Sequence, residues 1–137
     1  YMQLMFTNCK KVTNLDLSSF ETNNVVNMEQ MFYGCKSIES LDLSSFFTPN
    51  VTNICNMFNL CSKLTSLDIS NIDTSKVTNM NWTFSNLNAL KTLHIGKNFA
   101  FVGTAYGLNG MWMNSENEEF DAMEIPNNTE EIYTRIS

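Results

Sequence analysis

Apolar and polar positions alternate along this chain in two distinct rhythms that follow one another. Met28, Met31, Phe32 and Cys35 fall at i, i+3, i+4 and i+7, the spacing that lines one face of a helix. Asn27 stands just before them and suits an N-cap, as Asn53 and Asn79 do before the equivalent stretches. The rhythm then changes at Ile38-x-x-Leu41-x-Leu43, where Leu41 and Leu43 flank Asp42 as on a half-buried strand. From Ser44 to Asn50 the residues are mostly small and polar, with Pro49 among them, and predict a turn. The pattern therefore predicts helix, strand and turn, and then the same again.

The recurrence has a fixed step of 26 residues. Met5-Phe6, Met31-Phe32 and Met57-Phe58 keep it, with Thr83-Phe84 as the fourth member. Leu15-Asp16-Leu17, Leu41-Asp42-Leu43, Leu67-Asp68-Ile69 and Leu93-His94-Ile95 keep it too. A constant period in this range is the mark of stacked units that cannot bury their apolar face alone. The fold expected is an α/β right-handed leucine-rich-repeat solenoid of about four units over residues 1–98. Met2 fills the column of Met28, Ile54 and Met80 with part of its unit missing, so an excised piece of a longer protein is expected.

The pattern breaks at Phe99-Ala100-Phe101-Val102-Gly103. Residues 99–137 carry Trp112, Phe120, Ile125, Ile132, Tyr133 and Ile136, and Glu131 to Ile136 alternate like a strand. They are expected to form a C-terminal cap of the same domain, since an uncovered last unit would expose core and sheet edge.

The unit Val51-Thr52-Asn53, Met57-Phe58, Cys61, Leu64 and Leu67-Asp68-Ile69-Ser70, with Thr74 after it, resembles the BspA-like leucine-rich repeats of bacterial surface proteins. It looks in particular like the roughly 25-residue class of mycoplasma lipoproteins and Gram-positive cell-surface proteins. The resemblance covers residues 1–98, and the Gly110-Met111-Trp112-Met113-Asn114 and Ile125-Pro126-Asn127-Asn128 motifs of the tail are similar to that family's cap. It implies a secreted or surface-anchored adhesion or protein-binding module whose partner is a host or cell-surface protein or glycan. Departures cluster in the fourth unit, where Trp82-Thr83, Leu87 and His94-Ile95-Gly96 replace the common residues.

Composition narrows the partners. A net charge of −6 with only 8 basic residues in 137 gives no clustered Lys and Arg for phosphate, so nucleic acid and anionic membrane surfaces are disfavoured. No apolar run approaches the ~20 residues of a membrane span, so no insertion of this segment is expected. Stacked repeats present surfaces more often than they catalyse, and no enzyme activity or cofactor is expected. The competing reading is a structural spacer that extends another module from the cell surface.

The sharpest candidate chemistry is the column Asp16, Asp42, Asp68, with His94 in the fourth place. Asn14, Ser40 and Ser66 precede these residues on the same strand face, and Ser18, Ser44 and Ser70 follow them. Neighbouring carboxylates one strand spacing apart, ~4.8 Å, repel each other. A bound cation or a basic partner would offset this, as would hydroxyls and amides of the following turn. The turn reading is favoured, because hard cations want more oxygens than this face supplies. His94 is expected to be exposed and without a nucleophile beside it. Cys9, Cys35 and Cys61 form a second column expected to be buried free thiols, whereas Cys55 falls outside the core pattern and suits an exposed thiol. Met2, Met28, Met31, Met57 and Met80 read as core rather than as soft-metal ligands. The Thr22, Thr48, Thr74 column hints at ice binding.

Overall fold

Backbone amides in the Met/Phe stretches go alternately to two different places, and this decides the fold. A computed structural model describes residues 1–137. In it Met28, Gln30, Phe32 and Gly34 donate to the carbonyls of Asn53, Cys55, Met57 and Asn59 in the next segment, at 2.9–3.0 Å. The amides between them turn back on their own segment: Met31, Tyr33 and Cys35 donate to Met28, Gln30 and Phe32. An α-helix requires each amide to bond four residues back within its own chain segment. Here half of the amides are engaged elsewhere and the others close four-residue turns.

The backbone angles agree with this. Gln30 and Gly34 have φ of 54° and 70°, and the equivalent Asn56, Leu60, Trp82 and Asn86 are also left-handed. A left-handed third residue is what a type II turn demands. Such a residue every fourth position excludes a right-handed helix. The Asn27, Asn53 and Asn79 side chains still cap, but they cap turns, accepting from the amides of Glu29, Cys55 and Asn81 at 2.8, 3.0 and 3.1 Å.

The strands form one mixed sheet. β1 (Ser40–Asp42), β2 (Ser66–Ile69) and β3 (Thr92–Ile95) pair in parallel, with Leu41 opposite Leu67 and Leu67 opposite Leu93. The remaining strands are β4 (Met111–Met113), β5 (Glu119–Asp121) and β6 (Glu131–Arg135), and a single 3₁₀ turn covers Ala122–Glu124. β6 pairs antiparallel with β3 and with β4, and β4 pairs antiparallel with β5, giving the order β1-β2-β3-β6-β4-β5.

The expected α/β leucine-rich-repeat solenoid is thus corrected. The molecule is nearly all β, it contains no α-helix, and its six strands make a single mixed sheet. The 26-residue spacing survives as the register between β1, β2 and β3, while three of the six strands lie outside it. Leu15-Asp16-Leu17, expected as a strand, forms none.

Apolar columns build the core even though the helix is absent. Met28, Met31, Phe32 and Cys35 are all buried, because the first and last residues of two consecutive turns point inward at the same spacing as a helix face. Phe6, Phe32, Phe58 and Phe84 stack in a row with ring centroids 5.5, 5.9 and 6.0 Å apart. Phe99 and Phe101 close that row edge-on against Phe84. Trp112, Ile125 and Tyr133 belong to the same buried cluster as these residues, so both parts of the chain share one core.

Candidate binding face

Strand alternation sorts the side chains. Leu41, Leu67 and Leu93 point into the core, which leaves Ser40, Ser66 and Thr92 in one outer row and Asp42, Asp68 and His94 in the next. β6 extends both rows, placing Thr134 beside Thr92 and Ile132 beside His94.

Each aspartate is held by the turn that follows it. Asp16 Oδ1 accepts from the Ser18 amide at 3.0 Å and the Ser18 hydroxyl at 2.6 Å. Asp42 and Asp68 accept from the amides of Ser44 and Ser70, both at 2.9 Å. The Ser18 hydroxyl and amide hold Asp16 below the usual carboxylate range, and Ser44 does the same for Asp42. One oxygen of each carboxylate is therefore committed to local structure, which is how the column bears its negative charge.

His94 is half-buried rather than exposed. Its Nδ1 lies 3.2 Å from Asp68 Oδ2 and its Nε2 lies 3.4 Å from Glu130 Oε1. The ring thus links β2 and β3 to the segment entering β6. Burial works against charge on Glu131, yet the Ile132 amide, the Ser115 hydroxyl and amide, and His94 together keep its carboxyl below the ordinary range.

Asn14, Asp16, Ser18, Asp42 and Ser44 come together around a depression of about 370 Å³, completed by Leu15, Leu17 and Ser45. It opens where residues 13–17 run beside β1 without making a backbone hydrogen bond to it. Only the Ser45 hydroxyl spans that seam, donating to the Leu17 carbonyl at 3.1 Å. Ser40, Ser66, Asp68, Ser70 and His94 stand outside the depression, on β1–β3 and the Ser70 turn after β2. Sequence reasoning missed Ser45 and Glu130. Ser45 shares a column with Ser19 and Asn71, which was a usable signal, whereas Glu130 reaches His94 only through the β3–β6 pairing.

No three His, Cys, Asp or Glu side chains converge in a way that would hold a metal ion. The cysteines are free, and Cys35 and Cys61 donate from their thiols to the carbonyls of Phe6 and Phe32 at 3.0 and 3.1 Å. Burial pushes the Cys35 thiol up to about 11 and that of Cys61 up to about 12. Cys55, expected to be exposed, is buried, though outside the apolar core: the Asn56 side-chain amide donates to its sulfur at 3.4 Å, and Glu29 and Asn79 lie beside it. The threonine column is buried as well. Thr22, Thr48 and Thr74 donate to the carbonyls of Phe47, Asp73 and Ala100 at 2.6, 3.0 and 3.0 Å, so they present nothing to ice.

Residues 1–124 match the family described as Mycoplasma protein of unknown function, DUF285, and the chain belongs to that family. No curated protein and no solved structure matches the chain. No helix is long and apolar enough to cross a membrane.

Proposed function

We propose that this member of a mycoplasma protein family is an extracellular or surface-anchored adhesion module that binds a protein or glycan and performs no catalysis. The observation that carries the reading is the continuous polar face of β1–β3. Ser40, Asp42, Ser66, Asp68, Thr92 and His94 lie in two registered rows beside the depression lined by Asn14, Asp16, Ser18 and Ser44. The net charge of −6 makes basic protein surfaces the best-matched partners. The resemblance of the 26-residue unit to BspA-like surface proteins supports the cell-surface placement. Both His94 nitrogens face carboxylates, an arrangement that favours holding strands together over activating a nucleophile.

A structural spacer is the second reading. It is favoured by the way Asp16, Asp42 and Asp68 each give an oxygen to their own turn. Attachment of the purified chain to host cells and matrix proteins separates the two. Asp42→Asn with Asp68→Asn should weaken attachment several-fold and reduce its salt dependence, since exposed charges are screened beyond ~8 Å at physiological ionic strength. Attachment indifferent to both changes would move the site off this face, and no attachment to any surface would leave the spacer.

A further inference from the structure

The outward face of the sheet changes character after β3. It is polar on β1–β3, but on β6 Ile132 stands beside His94 in the outward row. On β4 the outward residues are Met111 and Met113, with Met113 beside Thr134 of β6. On β5, Asp121 and Glu119 stand beside Met111 and Met113. Ile132 is 49% exposed and both methionines are half-buried, whereas the inward Trp112 and Tyr133 of the same strands are fully buried. An apolar strip on β6 and β4 thus lies between two acidic borders. Asp68 and Glu130, which face the two nitrogens of the His94 ring at 3.2 and 3.4 Å, form one border, and Glu119 and Asp121 form the other. No Lys or Arg occupies an outward position on any of the six strands.

We propose that this strip docks an amphipathic helix of a partner protein, one with an apolar stripe and Lys or Arg on both sides of it. The chemistry of a sheet face selects a helix. Amides and carbonyls point along the plane of the sheet, so an extended strand laid on the face finds no hydrogen-bond partners, whereas a helix satisfies its own backbone. The dimensions agree. β3 and β5 are three strand spacings apart, ~14 Å, and a helix with its side chains is ~10–12 Å across. Its basic flanks therefore reach both borders while its apolar stripe covers Ile132, Met111 and Met113, and methionine adapts its shape to such a partner. A second copy of this face would set carboxylates against carboxylates, and an anionic lipid surface would be repelled in the same way. The strip lies beside the polar face of β1–β3, and the inference does not depend on that face binding anything.

The test titrates the 137-residue chain with a synthetic helical peptide of about 18 residues, carrying Leu along one helical stripe and Lys on both flanks. Amide chemical shifts and calorimetry should show a one-to-one complex, with shift changes concentrated at β6, β4 and β5. Ile132→Ser should weaken it about tenfold with little change in melting, since that side chain is half exposed. Glu119→Gln with Glu130→Gln, one from each border, should weaken it several-fold and flatten its salt dependence. The same peptide with Glu in place of Lys should not bind. No complex with the Lys peptide would overturn the proposal, as would equal binding of the Glu peptide, shift changes confined to other strands, or affinity unmoved by Ile132→Ser. Self-association of the chain through the strip, or its occupation by phosphatidylcholine–phosphatidylglycerol vesicles, would overturn it too. Attachment through β1–β3 is read separately on host cells and matrix proteins, so neither result decides the other.

Discussion

Gly96 and the Ser70 carbonyl are in such close approach that a β-carbon on Gly96 would be driven into that oxygen. The column that holds serine at Ser18, Ser44 and Ser70 therefore has to end in glycine where β3 leads into residues 97–99. The obstacle is backbone, which cannot swing aside as a flexible side chain does. Gly96→Ala should destabilise the protein by ~1–3 kcal/mol, the range for forced overpacking. Denaturant melts of the variant check this. An unchanged midpoint would mean that the turns after β2 and β3 can separate without cost.

The two faces of β1 should respond very differently to truncation. Leu41 is buried at 3% exposure, so Leu41→Ala should cost ~2–5 kcal/mol, the usual loss for a core leucine. Ser40 is exposed, and Ser40→Ala should cost under ~0.5 kcal/mol. Urea melts with matched slopes measure both. Similar losses at the two sites would contradict the strand facing described above.

The serine-bound aspartates imply an acid limit. The carboxyls of Asp16 and Asp42 are held below the unfolded value, near ~3.9, so the stabilisation is present above that pH and is lost as pH falls through the lower folded value. Ser18→Ala removes the hydroxyl donor of Asp16 and should raise the Asp16 titration midpoint in a carboxyl-resolved NMR titration, and Ser44→Ala should do the same for Asp42. Midpoints unmoved by the substitutions would assign the shifts to something other than these turns.

The thiols should sort by burial. With their thiols pushed up to about 11 and about 12, Cys35 and Cys61 carry almost no thiolate at pH 8. Cys9 is only half-buried. Alkylation of the folded chain at pH 8, read by peptide mass mapping, should label Cys9 first and reach Cys35 and Cys61 only on unfolding. Early labelling of Cys61 would show that the second and third segments separate readily in solution.

Some of this architecture is written in single columns of the sequence, and the reason is that burial is a local demand. The Leu41, Leu67, Leu93 column and the Phe32, Phe58, Phe84 row are apolar because each position must be dry, and a constant 26-residue step keeps them dry together. The outward set Asp42, Asp68 and His94 is legible for the same reason, since strand alternation leaves those side chains no other side. Backbone conformation is a different matter. Met28, Met31, Phe32 and Cys35 have a spacing shared by a helix face and by two consecutive turns, and apolar spacing alone cannot separate them. Only the neighbouring segment decides, by taking the amides of Met28, Gln30, Phe32 and Gly34 and holding Gln30 left-handed where its own preference would not put it. The antiparallel half of the sheet, the link from His94 to Glu130 and the seam between residues 13–17 and β1 were also decided in three dimensions. The first two depend on contacts between positions that share no period with one another, and the seam on hydrogen bonds that two stretches of the same period fail to make; hydrogen bonding between distant segments leaves no mark on the pattern of either.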